Sequence, residues 1–533
     1  MKKNLIVLAT GLFCWTGVHA ATNYYVYDGD KSAADNGTAL QAAIDAAAES
    51  GIDTLKVQAG TYQGNFTMKQ GVNVIGGWNK GFTSQTDYAT ILDAQANGRV
   101  VNQEAEFTTL TVWENLTIQN GKDESGTGGG GAWLNRLGQL KHCLIQNNTT
   151  TNYGGGVAHN VTAQATHGEV VISDCWIRNN VSAKQGGGVR IGAKIENSLI
   201  ERNTSSADGG GVYLQHGCIY NCVIRLNHST VNAGGIRAFG YTEIWNNLIY
   251  ANLADGQLGG LSQGGTNRTS NVVNNTIVCN RQISTTNPHR CGAMCGDNAT
   301  KAVFANNVVW KNYVNDAINA TQADLNSNRM GTEGVITNNA YSGNTIGDAP
   351  VALAEENPGF VDVTNADTTL WNLHLLFSSA LLDKGSDSYV TATDLAGNAR
   401  KAGNHVDIGA YELPYYTLTI EAFDHATLTV GGETKTAGDY SLPKGYTTTA
   451  TIEPDENYSI TSVTCGDAIL TPEAGIYTLP ALLTNMTLTI TVQSTPTGIV
   501  DANTAVKAVK VIRNGQLLII RDGKEFNVLG SQL

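Results

Sequence analysis

The sequence predicts an all-β protein whose larger part is a solenoid of stacked parallel strands. A repeat runs through the middle of the chain: each copy has an Ile, an Asn three residues later and, after five further residues, three small or apolar residues. This inner spacing is the same in five copies while the distance between copies varies, which is typical of a solenoid with loops inserted at its corners. The Asn positions are Asn148, Asn180, Asn203, Asn227 and Asn252, and two degenerate copies end at Asn280 and Asn312.

The repeat unit also predicts the geometry of one coil. Each unit holds short β-branched segments separated by Asn and Gly, which accept the left-handed backbone of corners, and it shows no helical periodicity. Strand and corner repeated in this way give a parallel β-helix, and eight visible rungs ~4.8 Å apart make a rod of roughly 38 Å. We expect a second Asn column to form a ladder of stacked amides. Its members are Asn197, Asn221, Asn246, Asn274 and Asn306, with Asp174 before them and Asn338 after them.

The cysteines fall into two groups. The first group is Cys143, Cys175 and Cys222. These share one position of the repeat, and we expect them to pack inside as small apolar residues. The second group, near an enlarged corner, is Cys279, Cys291 and Cys295. We favour one disulfide within this group, and a metal site with His289 is the alternative. No convincing metal-ligand spacing occurs in the sequence, so we expect neither metal nor cofactor.

The repeats resemble those of polymorphic outer-membrane proteins and of other right-handed β-helices of the pectate-lyase-like superfamily. The resemblance rests on the Ile-x-x-Asn and Gly-Gly-Gly-Val elements and covers most of residues 24–412. It implies a right-handed parallel β-helix. It implies no single activity, because this fold carries lyases, hydrolases, adhesins and passenger domains alike.

Composition and the N-terminus bear on location and partners. Charged residues make up 15% of the chain, the formal net charge is -13 and the body has no basic cluster, so we do not expect nucleic acid as a partner. Lys2 and Lys3, an apolar run and the end Val18-His19-Ala20 predict a secretory signal peptide cleaved near Ala20. The apolar run is too short to span a membrane, and Cys14 within it is a poor lipidation site.

Both ends of the solenoid are predicted to be covered. Residues 37–47 form an Ala-rich amphipathic segment, which we expect to be a helix capped by Thr38 across the first coil. Motifs from Asn357 to Glu412 resemble the closing segment of secreted bacterial β-helix proteins known from their variable surface anchors. That resemblance implies a structural cap, in which Asp394 and Asp407 are corner residues and not catalysts.

Two further segments follow. Residues 415–493 alternate with period two between Gly, Pro and Asp, which predicts a small antiparallel β-sandwich similar to bacterial repeat modules of surface proteins. Residues 507–533 predict three strands joined by Asn-Gly and Asp-Gly turns. This tail resembles type IX C-terminal sorting domains of exported Bacteroidetes proteins, and an ordinary terminal hairpin is the alternative. The predicted organisation is signal peptide 1–20, β-helix 21–413 with a helical cap, β-sandwich 414–494, linker 495–506 and sorting-like tail 507–533.

Candidate binding residues come from the outward positions of one strand column. The inward residues are Val157, Val189, Val212, Ile236 and Leu261. The alternate, outward positions carry aromatic, Arg and amide side chains and no carboxylate, so they offer no pair for sugar hydrolysis. The candidates are Trp133, Arg190, Tyr213, Arg237 and Phe239, with Trp133 one or two rungs from the others.

Flat rings stack on pyranose faces, and Arg and amides bind hydroxyls or carboxylates. We therefore expect a polysaccharide or host glycan on this face, and an acidic one because neighbouring Arg side chains need charge compensation. Scattered aromatic residues without a role are the alternative. On the next apolar segment, Arg178, Glu201 and Arg225 predict a ladder of ion pairs over successive rungs.

The sequence thus predicts a secreted or cell-surface monomer, peripheral to the outer membrane, that engages glycans without catalysis. The alternative is a polysaccharide lyase or glycoside hydrolase whose residues come from the enlarged corners at 289–301 and 315–333, since loops on a rigid scaffold often carry function. The candidates there are Arg290, Asp297, Lys301, Asp324, Arg329 and Glu333.

Overall fold

The structure, a computed structural model, describes residues 22–159, 169–264, 269–285, 293–297, 301–315, 325–326, 333–342, 346–354, 356–495 and 508–533. Its contacts divide the chain into two units, the first ending at Tyr415 and the second beginning at Tyr416. The first is a right-handed parallel β-helix and the second is mainly antiparallel, so the predicted fold class is confirmed. No helix in these ranges is long and apolar enough to cross a membrane.

Each coil of the β-helix contributes strands to three sheets. The broad sheet has 20 strands and takes two from each complete coil. Its strands are Thr22–Tyr25, Thr54–Gln58, Phe66–Thr67, Asn73–Trp78, Val101–Asn102, Thr111–Glu114, Ala132–Leu134, Gly138–Lys141, Val157–His159, Val171–Ser173, Val189–Ile191, Lys194–Glu196, Val212–Tyr220, Ile236–Trp245, Leu261–Gly264, Thr269–Val273, Ala293–Asp297, Lys301–Ala305, Leu325–Asn326 and Val335–Thr337. In two neighbouring coils the two strands merge into the long strands Val212–Tyr220 and Ile236–Trp245.

The other two sheets close the coil. The second sheet has 12 strands, which are Gly60–Gln63, Thr90–Asp93, Leu116–Gln119, Leu144–Gln146, Trp176–Arg178, Leu199–Glu201, Val223–Arg225, Leu248–Tyr250, Thr276–Val278, Val308–Trp310, Ala340–Tyr341 and Val351–Ala352. The narrow sheet has eight two-residue strands, which are Lys122–Asp123, Thr149–Thr150, Val181–Ser182, Thr204–Ser205, His228–Ser229, Leu253–Ala254, Arg281–Gln282 and Tyr313–Val314. The pairs along all three sheets are parallel, and they are in register apart from one-residue shifts within the broad sheet.

The core is a column of stacked aliphatic side chains inside the coils. The residues predicted to face inward, from Val157 to Leu261, are all 0% exposed, as are the repeated Ile145, Ile177, Ile200 and Ile224. Burying one such side chain contributes about 1.5–3 kcal/mol. The predicted inward positions are therefore confirmed, and burial alternates along the strands from Val189 to Phe239, whereas Val157–His159 and Leu261–Gly264 are buried throughout.

The first Asn column forms the expected ladder. In every step from Asn148 to Asn312, the Nδ2 of one Asn donates to the Oδ1 of the next at 2.9–3.0 Å. The left-handed residue of the corner is not the ladder Asn, as the sequence suggested, but the residue before it. At two corners that residue is Leu226 or Ala251, with φ of 55° and 53°.

The second Asn column was predicted one residue too early. Asn197, Asn221, Asn246, Asn274 and Asn306 are the left-handed corner residues themselves, with φ of 50–56°. The amide ladder lies on the following residue: Nδ2 donates to the next Oδ1 at 3.0 Å in each step. Its members are Asn247, Asn275, Asn307 and Asn339. Residues at positive φ turn their side chains out of the coil, so only the next residue can point inward and stack.

The Cys column continues this inner position. Cys143, Cys175 and Cys222 are at most 2% exposed and form no disulfide, which confirms that they pack inside. The backbone N of Cys143 donates to the Cys175 sulfur at 3.4 Å, and the N of Cys222 donates to Asn247 Oδ1 at 2.9 Å. Thiols, the Ser198 hydroxyl and amides thus fill one column, with the thiols and Ser198 in the earlier coils and the amides in the later ones.

The N-terminal helix is longer than predicted. It spans Ala33–Glu49, and its N-cap is Ser32, whose Oγ accepts from Asp35 N at 3.1 Å. Thr38 is therefore not the cap. Gly37 lies inside the helix because a Cβ there would stand 1.9 Å from the Gln63 carbonyl oxygen. The helix packs on the first coil through buried residues such as Leu40 and Ile44, as expected of a cap.

The closing segment begins with Phe360–Asp362 and Asn372–Leu375, which pair antiparallel, and with a 3-10 turn at Thr368–Leu370. Asp394 Oδ1 accepts from the backbone N of Ala396 and Asn398 at 2.9 and 2.7 Å, and Asp394 Oδ2 accepts from Glu412 N at 2.8 Å. Asp407 likewise accepts from Asp383 N and Leu413 N. Both acids are 1% exposed, so they hold backbone corners inside the cap.

The second unit contains three sheets. The five-stranded sheet runs in the order Gly438–Pro443, Tyr415–Ile420, Met486–Ser494, Tyr458–Cys465 and Ala468–Ile469. The four-stranded sheet runs in the order Glu433–Lys435, Ala426–Val430, Thr449–Pro454 and Ile476–Thr478. One pair, Tyr415–Ile420 with Met486–Ser494, is parallel. The tail strands are Val509–Arg513, Gln516–Arg521 and Lys524–Phe526, joined at the predicted Asn-Gly and Asp-Gly turns.

Candidate functional site

The structure aligns four of the five predicted site residues in one outward column of the broad sheet. Arg190 is beside Tyr213, and Tyr213 is beside Arg237 on the next rung. Trp133 is beside Ala158, which is beside Arg190, so Trp133 lies two rungs away. The residues Arg190, Tyr213 and Arg237 therefore form a contiguous group.

Arg190 is held in place by packing more than by ion pairing. Its guanidinium carbon lies 4.2 Å from the centroid of the Tyr153 ring, and one terminal nitrogen donates to Gln215 Oε1 at 3.3 Å. Its Nε is buried without a hydrogen-bond partner. Burial lowers the pKa of Arg190 and raises the pKa of Tyr213. The two side chains are therefore partly withdrawn from water and hold fixed positions.

Arg237 is partnered within the chain, which the sequence did not predict. Its Nε lies 4.0 Å from Asp208 Oδ2, and its guanidinium donates to the Ser262 hydroxyl. Asp208 stands at the corner before the strand, so it escaped a search of outward strand positions. The face was wrongly expected to lack a carboxylate. Because Asp208 compensates Arg237, neighbouring Arg side chains do not by themselves require an acidic ligand.

The site extends further along the long strands than predicted. The outward residues of Ile236–Trp245 are Arg237, Phe239, Tyr241, Glu243 and Trp245. Phe239 and Tyr241 are 41% and 44% exposed, and the His216 ring of the neighbouring strand lies 5.9 Å from Tyr241. We call the outward side chains of Val212–Tyr220 and Ile236–Trp245 the strip. At ~3.3 Å per residue it crosses the rod over roughly 26 Å from Arg237 to Trp245.

The strip ends in a groove of about 400 Å³. Its lining residues are Glu196, Tyr220, Asn221, Glu243, Trp245, Asn246 and Thr391–Thr393. The Tyr220 hydroxyl donates to Glu243, and burial together with that bond raises the pKa of Tyr220 well above its ordinary value. Lys194 Nζ lies 2.6 Å from Glu196 Oε2. This groove therefore joins two carboxylates, a Trp and a Tyr at one end of the strip.

One wall of the groove comes from the closing segment, far away in the sequence. Asn246 Nδ2 donates to Thr391 Oγ1 at 2.5 Å and to the Thr393 carbonyl at 2.8 Å. The corner residues Asn274 and Asn306 bind the carbonyl of Tyr389 in the same way, at 3.1 and 3.2 Å. The outward Asn column, first interpreted as a ladder, thus anchors the closing segment along the rod.

The enlarged corners contribute little to the described structure. Lys301 Nζ and Glu333 Oε2 are 3.0 Å apart with side chains that are 61% and 62% exposed, which is a surface ion pair. The side chains of Arg290, Asp297, Asp324 and Arg329 lie outside the described residues, as do His289, Cys291 and the Cys295 side chain. Within the described ranges, no group of three or more His, Cys, Asp or Glu could hold a metal ion.

The predicted ion-pair ladder on the second sheet is interrupted. Arg225 Nε lies 2.7 Å from Glu201 Oε2, but Arg178 donates to Gln146 Oε1 at 3.0 and 2.8 Å. The other Glu201 oxygen accepts from the Trp176 indole at 3.1 Å. Arg178 lies over that same indole, 3.9 Å from the ring centroid, so the ring replaces the carboxylate as its partner.

Comparisons with known proteins place the chain in no family. No family model and no curated protein matches it. Among solved structures, it is similar to the mannuronan C-5 epimerase AlgE6 A-module of Azotobacter vinelandii, with 14% identity over 60% of this chain and 95% of that chain and a TM-score of 0.29. It is similar to the tailspike protein gp49 of Acinetobacter baumannii bacteriophage Fri1, a capsular polysaccharide depolymerase, with 10% identity over 90% and 85% and a TM-score of 0.30. The tailspike of E. coli bacteriophage HK620, in complex with a pentasaccharide, has 12% identity over 86% and 88% and a TM-score of 0.28. Likenesses this distant carry no argument about activity.

Proposed function

We propose that the protein is an exported, non-catalytic glycan-binding protein and that its glycan lies on the strip. The observation that carries this proposal is the run of outward aromatic side chains at alternate positions of one strand. Phe239 and Tyr241 leave two-fifths of their surface in water at the centre of a sheet face. Tyr213 and Trp245 stand at the two ends of the same face, which makes a row of rings with Glu243 between Tyr241 and Trp245.

A glycan fits this row because a pyranose ring has an apolar face and a rim of hydroxyl groups. Aromatic rings cover the apolar face, and amides and guanidinium groups bind the hydroxyls. Gln215 and Arg190 supply such groups at the edge of the strip, already joined to each other at 3.3 Å. The predicted signal peptide supports export. An exported protein is secreted or reaches the cell surface, and glycans are found at both places.

A glycan array probed with residues 21–533 tests the proposal. Glycans that bind should lose affinity with Tyr213→Ala and with Phe239→Ala, by about 0.5–1.5 kcal/mol for each lost ring contact. Tyr24→Ala is the matched control, because Tyr24 is an aromatic residue of the same sheet, 50% exposed, at the N-terminal end of the rod. An array without a single binding glycan would refute the proposal, and so would binding that all three variants retain.

Catalysis is the second candidate function, and the groove is the observation that favours it. Glycoside hydrolysis needs two carboxyl groups, and Glu196 and Glu243 line the same groove. Glu196 already has an ion-pair partner, however, because Lys194 Nζ lies 2.6 Å from its Oε2. Catalysis is measured by assays for new reducing ends and for unsaturated uronates, which are run on every glycan that binds. Product formation that Glu243→Gln abolishes would replace the binding proposal with an enzymatic one.

A further inference from the structure

The groove at the Trp245 end of the strip carries an uncompensated negative charge. Glu196 is paired with Lys194, whereas Glu243 accepts a hydrogen bond from the Tyr220 hydroxyl. In the part of the chain that the structure describes, no cation is paired with Glu243. A carboxylate that faces an open groove with only a hydroxyl partner retains acceptor capacity for a ligand.

A second residue that lines the same groove has an acceptor without a partner. Asn246 is 1% exposed, and its Nδ2 faces the Thr393 carbonyl at 2.8 Å. Since a carbonyl only accepts, the nitrogen must stand on that side and the oxygen on the other. That Oδ1 is buried and has no hydrogen-bond partner. A buried amide oxygen without a donor costs free energy, which a ligand donor would recover.

The remaining lining is aromatic. Tyr220 and Trp245 stand beside each other on neighbouring strands, in register. Aromatic rings next to a carboxylate favour a bound cation, because the ring faces are negative. A protonated amine has three donors and no acceptor, so it matches a site built from a carboxylate, an amide oxygen and two rings.

We propose that this groove binds the protonated amino group of an amino-sugar unit, in a glycan whose remaining units lie on the strip. The inference rests on the proposed function, because Glu243 and Trp245 belong both to the groove and to the strip. The strip is then polarised, with Arg190 at the edge of one end and Glu243 at the other. A glycan with a free amine at one position and an acidic or hydroxyl-rich unit further along would lie across the rod in a single direction.

Titration calorimetry with two matched probes tests this inference. The probes are the β-1,4-linked tetrasaccharide of glucosamine, which carries free amines, and the tetrasaccharide of N-acetylglucosamine, which carries none. We expect the wild-type chain to bind the glucosamine tetrasaccharide at least about tenfold more tightly, a difference of about 1.4 kcal/mol. In Glu243→Gln this ratio should fall to near one, with little change for the acetylated probe.

Glu114→Gln is the matched control. Glu114 is an outward acid of the same sheet that pairs with Lys141 at 3.1 Å and lies three rungs from Glu196. The Glu114→Gln substitution removes the same charge without touching the groove. The ratio of the two tetrasaccharide affinities should therefore stay at its wild-type value. A ratio that falls equally in both variants would reduce the effect to general electrostatic attraction and overturn the site.

The other outcomes are equally decisive. A wild-type ratio near one, or no binding of either tetrasaccharide, would overturn the amino-sugar site. The proposed function would then be judged separately, by the glycan array and the Tyr213→Ala variant. A trilysine peptide is the last probe. If it binds as tightly as the glucosamine tetrasaccharide and Glu243→Gln weakens both equally, the groove binds protein amines, and the proposal that its ligand is a glycan is overturned.

Discussion

At the scale of single residues, the buried amides of the corners set the shape of the coil. Each ladder Asn satisfies its own side chain and a backbone group of the neighbouring coil: Asn203 Oδ1 accepts from the N and Nδ2 of Asn180, and its Nδ2 donates to the Ile177 carbonyl at 3.0 Å. Leu226 and Ala251 adopt left-handed backbone conformations beside ladder residues, which costs about 1–3 kcal/mol each. The ladder offsets this strain, because straightening the corner would leave its buried amides without partners.

Asn203→Leu should therefore destabilise the β-helix far more than Thr204→Ala, the neighbouring substitution. Leucine cannot accept from Asn180 or donate to Asn227, and each buried group left without a partner costs about 1–3 kcal/mol. Thr204 is half-buried at the same corner and contributes one of the two strand residues there. Urea unfolding of both variants measures the difference, and equal midpoints would show that the ladder contributes nothing to stability.

A second residue-scale prediction concerns pH. Burial and the negative charge of Asp407 raise the pKa of Glu412 to about 8, from an ordinary 4.5. The folded chain then holds a proton between about pH 5 and 8 that the unfolded chain has released, so stability is highest below this window and falls as the pH rises through it. Burial raises the pKa of Asp407 as well, to about 6, which acts in the same direction.

The melting temperature of the first unit should thus fall from pH 5 to pH 8, and Glu412→Gln should flatten this slope. The slope of melting temperature against pH is the readout, and not the melting temperature itself. Gln also lowers stability at every pH, because it loses one of the two oxygen acceptors that serve Ala402 N and Asp407 N. Glu356→Gln, an exposed acid of the same unit, should leave the slope unchanged. A Glu412→Gln variant whose slope equals that of the wild type would contradict the assignment.

At the scale of elements, the sequence predicts strands and corners well. It fails where the structure depends on unusually long strands or on contacts between distant segments. The spacing from Asn148 onward locates the coils, because one coil repeats the next. The outward positions predicted from the sequence end at Phe239. Gly240 has φ of 91° and leaves room for the His216 ring, so the strand continues to Trp245. Thr393 is 147 residues from Asn246, a contact that no local pattern reveals.

The contact between the closing segment and the outward Asn column gives an element-scale prediction. Asn306 holds this segment by three bonds: its Oδ1 accepts from Ser386 N at 2.7 Å, and its Nδ2 donates to the carbonyls of Ser386 and Tyr389 at 3.0 and 3.2 Å. Asn306→Gly keeps the positive φ accessible and removes only these bonds. We expect faster amide hydrogen exchange around residues 384–393.

Asn197→Gly is the control, because Asn197 has the same left-handed conformation with φ of 50° and shows no side-chain bond to that segment. It should leave exchange at residues 384–393 unchanged. Unaltered exchange in Asn306→Gly would mean that the segment is held by its own buried residues, such as Leu381 and Val406, and not by the corner amides.

At the scale of the first unit, the coils are interchangeable in structure but not in function. Each coil contacts its two neighbours through the same three sheets, so stability is nearly a sum of coil and interface contributions. The first amide ladder runs unbroken from Asn148 to Asn312, and it carries no information about which coil is which. The strip, by contrast, depends on the only two merged strands of the described broad sheet, Val212–Tyr220 and Ile236–Trp245. Fold and proposed function therefore respond differently to the loss of one coil.

Deletion of Thr204–Asn227 removes one coil and should leave a folded rod. Asn203 would then be followed by His228, as Asn227 is now, and its amide would meet Asn252 in the ladder. Strands Val189–Ile191 and Lys194–Glu196 would pair with the two ends of Ile236–Trp245, which follow the register of the strand removed; in the middle Ile236–Trp245 carries one extra residue, where the register shifts. We expect a cooperative thermal transition, a rod shorter by ~4.8 Å in small-angle scattering, and loss of glycan binding because Tyr213 and Tyr220 are gone.

A deletion of Thr204–Asn221 is the out-of-register control. It joins the corner at Asn203 to Cys222, cannot close a coil, and should abolish the cooperative transition. If the in-register deletion unfolds the first unit as completely as this control does, the coils are not interchangeable and the solenoid argument fails.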